Sequence, residues 1–380
     1  MSACSPRLPA QTFTLDGGLR LESGAHLPDV QLAWRSWGRL NAAADNAVIV
    51  CHALTGSADA DEWWAPLFGP ARALDPTRDF IVCSNALGSS LGSTGPSSIA
   101  PDGRRWGARF PSISVRDQVR AQIALADALG VQRIRLAVGG SLGGLQVLEW
   151  ALLDPARVQA IASIAASARH SVWCQAWSQA QRLALASDPR WRGGDYDPAS
   201  PPLAGLAAAR ALAMISYRSA ASLQQRFDHH SDASGTPESN AGVRGWLDRH
   251  GHRLAHRFDA ASYISLLDAM DRHDVGRDRG GVRAALAGVR QPALVVSIPQ
   301  DLLYVPEDQQ ALVEALPFGE LAILDSPHGH DGFLIDAAAL NDPLLAFRQR
   351  LARAEATHER LPSNAQSPIH PLTTAVARRA

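Results

Sequence analysis

The length and charge of this sequence exclude several classes of protein. The chain has 380 residues, of which 46% are hydrophobic and 19% charged, and its formal net charge is −1. At roughly 150 residues per domain, this length allows two or three domains or one large domain with an insertion. The composition excludes a chain that is disordered throughout. The neutral balance gives no electrostatic basis for binding nucleic acid or an anionic membrane.

The basic and sulfur-containing residues narrow the chemistry further. All 36 basic residues are arginine, so the chain has no lysine for a Schiff base, for pyridoxal phosphate or for a Walker-type phosphate loop. The cysteines form no Cys-x-x-Cys pair, which argues against a zinc knuckle or a disulfide framework. The N-terminal segment does not resemble a signal peptide, and no run of about 18 apolar residues occurs. We therefore expect a soluble, cytoplasmic protein. The cysteines are Cys4, Cys51, Cys83 and Cys174.

Short apolar runs alternate with helical patterns in the first and last parts of the chain. Runs such as AVIV and ALVV are continuous rather than alternating, which is typical of strands buried on both faces of a sheet. Strands that alternate with helices predict an α/β fold with a mostly parallel sheet. The predicted strands are 30–38, 47–54, 79–87, 133–141, 158–167, 292–298 and 320–327, and the clearest predicted helices are 115–130, 142–155 and 306–316.

The middle of the chain breaks this alternation. Residues 168–288 carry helical patterns and no strand-like run, so we predict a helical lid inserted between two parts of the α/β core, 1–167 and 289–355. The last residues, 356–380, contain three prolines and few large apolar side chains, which predicts a disordered tail.

The strongest local motif is Gly-Gly-Ser-Leu-Gly at 139–143. A predicted strand leads directly into it and a predicted helix follows at once, which is the context of a nucleophile elbow. The small residues allow a turn tight enough to expose a strained serine at the carboxyl end of the sheet. The helix N-terminus behind that serine favours a developing oxyanion. Ser141 is therefore the candidate nucleophile; the alternative is a glycine-rich turn with an incidental serine.

The acid and the base are expected in loops that follow late strands. Asp301 follows the run PALVVSI, and His328 and His330 follow the run ELAILD, in the order serine, acid, histidine. Both loops lie at the carboxyl ends of strands, where an open α/β sheet binds its ligands. Spacing alone does not separate the two histidines. Asp301 has a second interpretation, as a cap for the helix that begins near Pro306.

The remaining histidines of the predicted insertion do not have the spacing of a metal site. Converging ligands at fixed spacing are needed to hold a metal ion, so we predict no metal and interpret these side chains as surface residues. They are His229, His230, His250, His252, His256 and His273.

Five motifs in one order carry a resemblance to a known family. They are HALTG at 52–56, LGSTGPSS at 91–98, VGGSLGG at 138–144, RFDAASY at 257–263 and SPHGHD at 326–331. Together they resemble the homoserine O-acyltransferases of the α/β-hydrolase fold, the acetyl-CoA-dependent enzymes of methionine biosynthesis. The resemblance runs from about residue 10 to residue 350 and includes the helical lid.

This resemblance implies a role for individual residues. Ser141 is the implied nucleophile and Asp301 the implied acid, in a loop with leucine where the family usually has tryptophan. The implied base is the histidine of Gly-His-Asp, His330 rather than His328. The implied homoserine-binding residues are Asp331 and the arginine of GLAAAR, Arg210. Homoserine is a zwitterion, so its site needs a cation for the carboxylate and an anion for the ammonium group, and an arginine can bind a carboxylate in a bidentate manner. The alternative roles are an ion pair within the lid for Arg210 and a helix cap for Asp331.

The resemblance also implies a mechanism and its partners. Acetyl-CoA is the implied co-substrate, with no bound cofactor, and it acylates the serine before homoserine accepts the acetyl group. The backbone N–H groups of Leu142 and Leu54 are the expected oxyanion hole. Leu303, two residues after the acid, is the expected acyl-donor specificity residue, since a leucine cannot pair with a succinyl carboxylate. Leu302 could occupy the same pocket. A homodimer is implied as well.

Three other functions are compatible with parts of the pattern. A lidded esterase would use the same triad without needing the arginine and aspartate for an amino acid. A sister transferase would take serine as acceptor or succinyl-CoA as donor. A non-enzymatic binding module on the same fold is the third, and a complete set of serine, aspartate and histidine argues against it.

Overall fold

An eight-stranded sheet forms the centre of the structure, a computed structural model that describes residues 10–227 and 242–359. The strand order is β1-β4-β6-β5-β7-β8-β9-β10. Strands β6, β5, β7, β8, β9 and β10 are parallel to one another, whereas β4 pairs antiparallel with both β1 and β6. The strands are β1 (Gln11–Leu15), β2 (Leu19–Arg20), β3 (His26–Leu27), β4 (Val30–Trp37), β5 (Ala47–Cys51), β6 (Phe80–Ser84), β7 (Ile134–Gly140), β8 (Ile161–Ile164), β9 (Ala293–Ser297) and β10 (Gly319–Ile323).

Helices cover both faces of this sheet and predominate in the described part of the segment between β8 and β9. They are α1 (Ala60–Trp63), α2 (Val115–Ala128), α3 (Leu142–Leu153), α4 (Val172–Ala186), α5 (Leu203–Ser216), α6 (Ala220–Phe227), α7 (Gly242–Ala255), α8 (Ala260–Asp271), α9 (Val282–Ala287), α10 (Pro306–Ala315), α11 (Gly332–Ile335) and α12 (Ala337–Glu359). None of those within the described residues is both long and apolar enough to cross a membrane.

Burial explains why the parallel strands were visible in the sequence. Every residue of β5, β6, β8 and β9 is buried, because an apolar cluster lies on each face of the sheet. The sequence of a strand that is buried on both faces is a continuous apolar run. The predicted α/β fold with a mostly parallel sheet is therefore confirmed. Strand β1 was missed because its alternating, half-exposed sequence QTFTL carries no continuous apolar run.

Several predicted element ends differ from the structure by a few residues, and two of these differences have a clear physical reason. The strand predicted at 47–54 ends at Cys51, because the chain turns at 53–56, where the N–H of Gly56 donates to the carbonyl of Ala53. Residues 356–359, predicted as the start of a disordered tail, continue helix α12. The segment Ala-Thr-His-Glu contains no proline, so nothing in it interrupts the helical hydrogen bonds. The rest of the predicted tail, 360–380, lies outside the described residues.

The segment between β8 and β9 is built from helices α4 to α9 in the part that the structure describes. These helices share an apolar cluster with the loops at the carboxyl ends of the parallel strands. The cluster includes Leu206, Ala209 and Tyr263 from these helices, Leu142 from the start of α3 and Leu303 from the loop after β9. The predicted histidines His229 and His230 lie outside the described residues. The helical segment thus packs directly over the end of the sheet where Ser141 lies.

Candidate active site

Three side chains from three strand ends form one hydrogen-bonded chain. Ser141 follows β7, Asp301 follows β9 and His330 follows β10. The Nε2 atom of His330 lies 2.8 Å from Oγ of Ser141, and its Nδ1 atom lies 2.7 Å from Oδ2 of Asp301. All three side chains are buried. The structure thus brings together the three residues that the sequence suggested as nucleophile, base and acid, with hydrogen bonds of the length that a catalytic triad requires.

The local backbone explains why Ser141 faces the histidine. Ser141 has φ 56° and ψ −123°, a conformation that non-glycine residues rarely adopt, and helix α3 starts at the next residue. The turn fits only because its neighbours are small. A Cβ atom on Gly143 would lie 2.1 Å from the carbonyl oxygen of Cys51. The strained serine is therefore fixed between β7 and α3 by close backbone packing.

Asp301 uses both carboxylate oxygens. Its Oδ1 atom accepts hydrogen bonds from the backbone N–H groups of Leu303 (2.8 Å) and Tyr304 (3.0 Å), which leaves Oδ2 for His330. The following helix α10 has Val305, not Asp301, at its N-cap. The alternative interpretation of Asp301 as the cap of that helix is therefore wrong. The two backbone bonds hold the carboxylate in the orientation that the histidine needs.

The structure separates His330 from His328. Nδ1 of His328 lies 2.8 Å from Oγ of Ser222 and 3.3 Å from Nη1 of Arg218, away from the serine of the elbow. Burial lowers the pKa of His330, but the charge of Asp301, the hydrogen bond to it and the charge of Asp331 outweigh burial, so the pKa of His330 lies above its usual value. His330 is thus the histidine placed to exchange a proton with Ser141.

Asp331 lies beside this histidine between two arginines. Its Oδ2 atom is 3.4 Å from Nε of Arg218, and its N–H donates to the carbonyl of Tyr217 over 3.0 Å. Burial raises the pKa of Asp331, while the charges of Arg210 and Arg218 act in the opposite direction. Arg210 lies on α5 with its guanidinium 5.3 Å from the Tyr217 ring centre. The predicted substrate-binding pair is therefore brought together at the end of the sheet.

The two arginines differ in what they contact. Among the described residues, Arg210 has no hydrogen bond or ion pair, so its guanidinium is available to an added carboxylate. Arg218 is already engaged with Asp331 and His328. Sequence reasoning missed Arg218. The available signal was an arginine eight residues after Arg210, at the end of the same helical pattern, but a single sequence does not distinguish it from a surface arginine.

Two backbone N–H groups at the elbow and in the loop after β5 donate to no acceptor in the part of the chain that the structure describes. Leu142 is the first residue of α3, so its N–H has no acceptor within the helix. The N–H of Leu54 has no acceptor among the described residues either. Both leucine side chains are buried in the apolar cluster beneath the helical segment. These are the two groups predicted to form an oxyanion hole.

Leu303 rather than Leu302 faces the interior. Leu303 is 6% exposed and belongs to the same apolar cluster as Leu54 and Leu142, whereas Leu302 is 45% exposed. The carbonyl of Leu303 lies 3.0 Å from Sγ of Cys174 on α4, which ties this loop to the helical segment. The structure therefore places Leu303, the residue predicted to select the acyl donor, on the buried side of the acid loop.

The histidines of the helical segment that the structure describes differ in their surroundings. Within residues 10–227 and 242–359, no group of three or more histidine, cysteine, aspartate or glutamate side chains has the arrangement to hold a metal ion. The interpretation of His273 as a surface residue is wrong, because this side chain is buried, as is that of His170, and burial lowers the pKa of each to about 3.

Comparison with known proteins identifies the family. The α/β-hydrolase fold model matches residues 46–337. A homoserine O-acetyltransferase of Trichormus variabilis is 52% identical over 333 residues, which cover 87% of this chain and 92% of that protein. The chain belongs to the homoserine O-acetyltransferase family. The resemblance seen in the sequence motifs is thereby confirmed.

Solved structures place the homoserine O-acetyltransferase family beside a group of esterases. A homoserine O-acetyltransferase from Staphylococcus aureus matches with a TM-score of 0.72 and 27% identity, covering 89% of this chain and 94% of that one. The acetyl esterase MekB matches with a TM-score of 0.79 and 28% identity, covering 90% of this chain and 97% of that one. The shared fold therefore supports both transfer and hydrolysis of acetyl groups, and the residues around the triad must decide between them.

Proposed function

We propose that this protein transfers the acetyl group of acetyl-CoA to the side-chain hydroxyl of L-homoserine, giving O-acetyl-L-homoserine for methionine biosynthesis. The observation that carries the proposal is the unpaired Arg210 guanidinium close to Asp331, beside a complete triad. An arginine and a carboxylate beside the catalytic histidine match the two charges of an amino acid. The curated relatives with about half of their residues identical are named as acetyltransferases, which favours acetyl over succinyl transfer.

The first half-reaction forms an acetyl-enzyme. Nε2 of His330 takes the proton of Ser141 as Oγ attacks the thioester carbonyl, and Asp301 stabilises the resulting imidazolium. The backbone N–H groups of Leu142 and Leu54 donate to the oxyanion of the tetrahedral intermediate. The carbon–sulfur bond then breaks, and His330 donates the proton it took from Ser141 to the departing CoA thiolate. The products are free CoA and acetylated Ser141.

The second half-reaction moves the acetyl group to homoserine. Arg210 holds the substrate carboxylate and Asp331 holds its ammonium group, which directs the hydroxyl towards the acetyl carbon. His330 takes the hydroxyl proton during the attack and returns it to Ser141 as the ester is released. Burial raises the pKa of Asp331, and the charge of Arg218 supports this step because it acts against that rise and favours the carboxylate form.

Transfer requires that water be kept away from the acetyl-enzyme. Helix α5 and the turn after it lie against the histidine loop, where the Tyr217 ring centre is 5.5 Å from that of His330. The triad side chains are almost fully buried under this cover. We therefore assign residues 168–288 the role of a lid that favours homoserine over water as the acceptor.

A crossed assay tests the proposed function. Acetyl-CoA and succinyl-CoA are each combined with L-homoserine and with L-serine, and CoA release is followed together with the mass of the amino-acid product. We expect the fastest release with acetyl-CoA and homoserine, and a mass increase of one acetyl group on homoserine. Faster turnover of either other substrate would overturn the assignment of donor or acceptor.

An acetyl esterase is the second candidate, because MekB shares the fold with 28% identity over 97% of its length. An esterase would hydrolyse simple acetyl esters at a rate that homoserine does not change. The transferase predicts that homoserine diverts the acetyl group from water, so the ratio of O-acetylhomoserine to acetate separates the two candidates.

Replacement of Arg210 by alanine should damage the second half-reaction selectively. Acetylation of Ser141 by acetyl-CoA should persist, while transfer to homoserine should lose about 2–5 kcal/mol of transition-state stabilisation, the range for removing one partner of a buried charge pair. Rapid-quench measurement of each half-reaction gives the two rates. Arg283→Ala, an exposed arginine on α9, is the control. An equal loss in both half-reactions would show that Arg210 acts on CoA or on folding.

Replacement of Leu303 by arginine should move donor preference towards succinyl-CoA. The wild-type apolar pocket cannot compensate the terminal carboxylate of a succinyl group, and an arginine there adds a charge-assisted contact of about 1.5–3 kcal/mol. The ratio of kcat/KM for acetyl-CoA over succinyl-CoA should fall roughly 10- to 100-fold. Leu302→Arg on the exposed side of the loop is the control and should leave the ratio unchanged. A wild type that prefers succinyl-CoA contradicts the prediction.

The pH dependence of acetylation should reflect the raised pKa of His330. The base must be neutral, so the acetylation rate should rise with pH and reach half its maximum above about 6.5, the usual histidine value. Asp331→Asn removes one of the charges that stabilise the imidazolium and should move this midpoint to lower pH. Pre-steady-state CoA release between pH 5 and 9 measures it. The exposed Asp325, changed to Asn, is the control on the same loop.

A further inference from the structure

His52 follows strand β5 and is buried, although it belongs to no part of the triad. Both of its ring nitrogens have backbone partners. Nε2 lies 2.9 Å from the backbone nitrogen of Ala86, and Nδ1 lies 2.7 Å from the carbonyl oxygen of Ala53. The N–H of Ala86 can only donate, so Nε2 is the acceptor and the proton of the neutral ring sits on Nδ1. Burial lowers the pKa of His52, which is consistent with a neutral ring.

The bond from Nδ1 fixes the orientation of one peptide group. The carbonyl of Ala53 accepts a second hydrogen bond from the N–H of Gly56 over 2.8 Å. No cis peptide bond occurs in the described residues, so the carbonyl of Ala53 and the N–H of Leu54 point in opposite directions across one planar unit. Two donors on the carbonyl therefore direct the Leu54 N–H away from His52, and that N–H has no acceptor among the described residues.

We infer that His52 is a positioning residue for the oxyanion hole, which acts by orienting the Ala53–Leu54 peptide so that the Leu54 N–H meets the oxyanion formed at Ser141. The inference rests on the proposed acyl transfer at Ser141. A donor contributes to catalysis only when it is held in place before the charge develops. The segment next to this peptide packs on the elbow itself, since a Cβ on Gly143 would contact the carbonyl oxygens of Cys51 and His52.

The two ring nitrogens give His52 two separable effects. The Nδ1 bond orients the peptide of the oxyanion hole, whereas the Nε2 bond ties the loop after β5 to the loop after β6 and satisfies the buried N–H of Ala86. Asparagine places an amide donor near the position of Nδ1, and glutamine places an amide acceptor near the position of Nε2. His52→Asn therefore retains the first contact and His52→Gln retains the second.

The experiment compares these variants with the wild type and with His26→Gln, which changes a histidine in the short strand β3. Three quantities are measured: the single-turnover rate of Ser141 acetylation by acetyl-CoA, the Kd of CoA, and the Ki of S-trifluoroacetonyl-CoA. Serine adds to this ketone and forms a hemiketal whose oxygen occupies the oxyanion hole, so its Ki reports on the hole directly.

His52→Gln should lower the acetylation rate about 10- to 100-fold and raise the Ki of the ketone by a similar factor. The Kd of CoA should stay within about twofold of wild type. His52→Asn and His26→Gln should stay within about fivefold of wild type in all three. Acetylation by His52→Gln at the wild-type rate would overturn the inference. An equal rise in the Kd of CoA and in the Ki of the ketone would also overturn the inference, because equal rises would indicate general damage to the fold.

A measurement on the unchanged protein covers the case in which His52→Gln does not fold. The ¹⁵N NMR shifts of His52 should show a neutral ring with the proton on Nδ1 between pH 6 and 8, and a proton on Nε2 would overturn the inference. Failure of the proposed function can be distinguished from failure of this inference. It would appear in the wild type as the absence of acetylated Ser141 and of homoserine-dependent CoA release.

Discussion

Replacement of Ser141 by alanine is expected to abolish both half-reactions, with a loss of about 10⁴- to 10⁶-fold in kcat. The reason is that Ser141 is the residue at the elbow, and its Oγ is the atom 2.8 Å from Nε2 of His330. Without Oγ no acetyl-enzyme forms, so neither CoA release nor transfer to homoserine proceeds by the proposed route. The loss should appear in kcat because the binding surfaces for both substrates remain.

Intact-protein and peptide mass spectrometry after mixing with acetyl-CoA alone provides the measurement. The wild type should gain one acetyl group on Ser141, and Ser141→Ala should gain none. Buried thiols are the competing nucleophiles. Burial raises the pKa of Cys51 to about 12 and holds that of Cys83 well above its usual value, so neither supplies a thiolate near neutral pH. Cys83→Ala is the control and should retain the adduct. An adduct on either cysteine in the wild type would contradict the assignment.

Replacement of His330 by alanine should cost several powers of ten in the acetylation rate, whereas His328→Ala should cost less than about tenfold. His330 contacts both Ser141 and Asp301, and its loss leaves the serine without a base and the carboxylate without a partner. His328 contacts Ser222 and Arg218 and reaches the reaction only through them.

The two variants form a matched pair, since the histidines lie two residues apart in one loop and undergo the same truncation. Single-turnover CoA release measures the acetylation rate in each, and thermal unfolding checks that both fold. Full activity in His330→Ala would refute its role as base. An equal loss in both variants, with unchanged unfolding temperatures, would place the base elsewhere.

The sequence was most informative where backbone geometry restricts the choice of residues. Parallel strands that are buried on both faces require continuous apolar runs, so β5, β6, β8 and β9 were visible, and the tight elbow requires glycine close to Ser141 on both sides. The order of serine, acid and histidine along those strands then located the loops of Asp301 and His330. Strand β1 was not visible, because a half-exposed edge strand tolerates the polar sequence QTFTL.

The sequence was least informative where a role depends on contacts between distant segments. Arg218 was missed because only the packing of the turn after α5 against the histidine loop brings it to Asp331. Two histidines in one loop could not be ranked from their spacing, and the structure separates them by the partners of their ring nitrogens. Leu302 and Leu303 likewise differ in exposure only once the two backbone hydrogen bonds to Asp301 have set the loop.

The turn between α5 and α6 packs against the histidine loop so closely that the two are not separate modules. The N–H of Asp331 donates to the carbonyl of Tyr217, and a Cβ on Gly329 would lie 2.7 Å from the backbone nitrogen of Ser219. A segment exchange that transplants the helices of an esterase into this chain would therefore displace the base as well as the acceptor pocket. New acceptor preferences in this scaffold must arise by substitutions within the helices, with the turn at 217–219 retained.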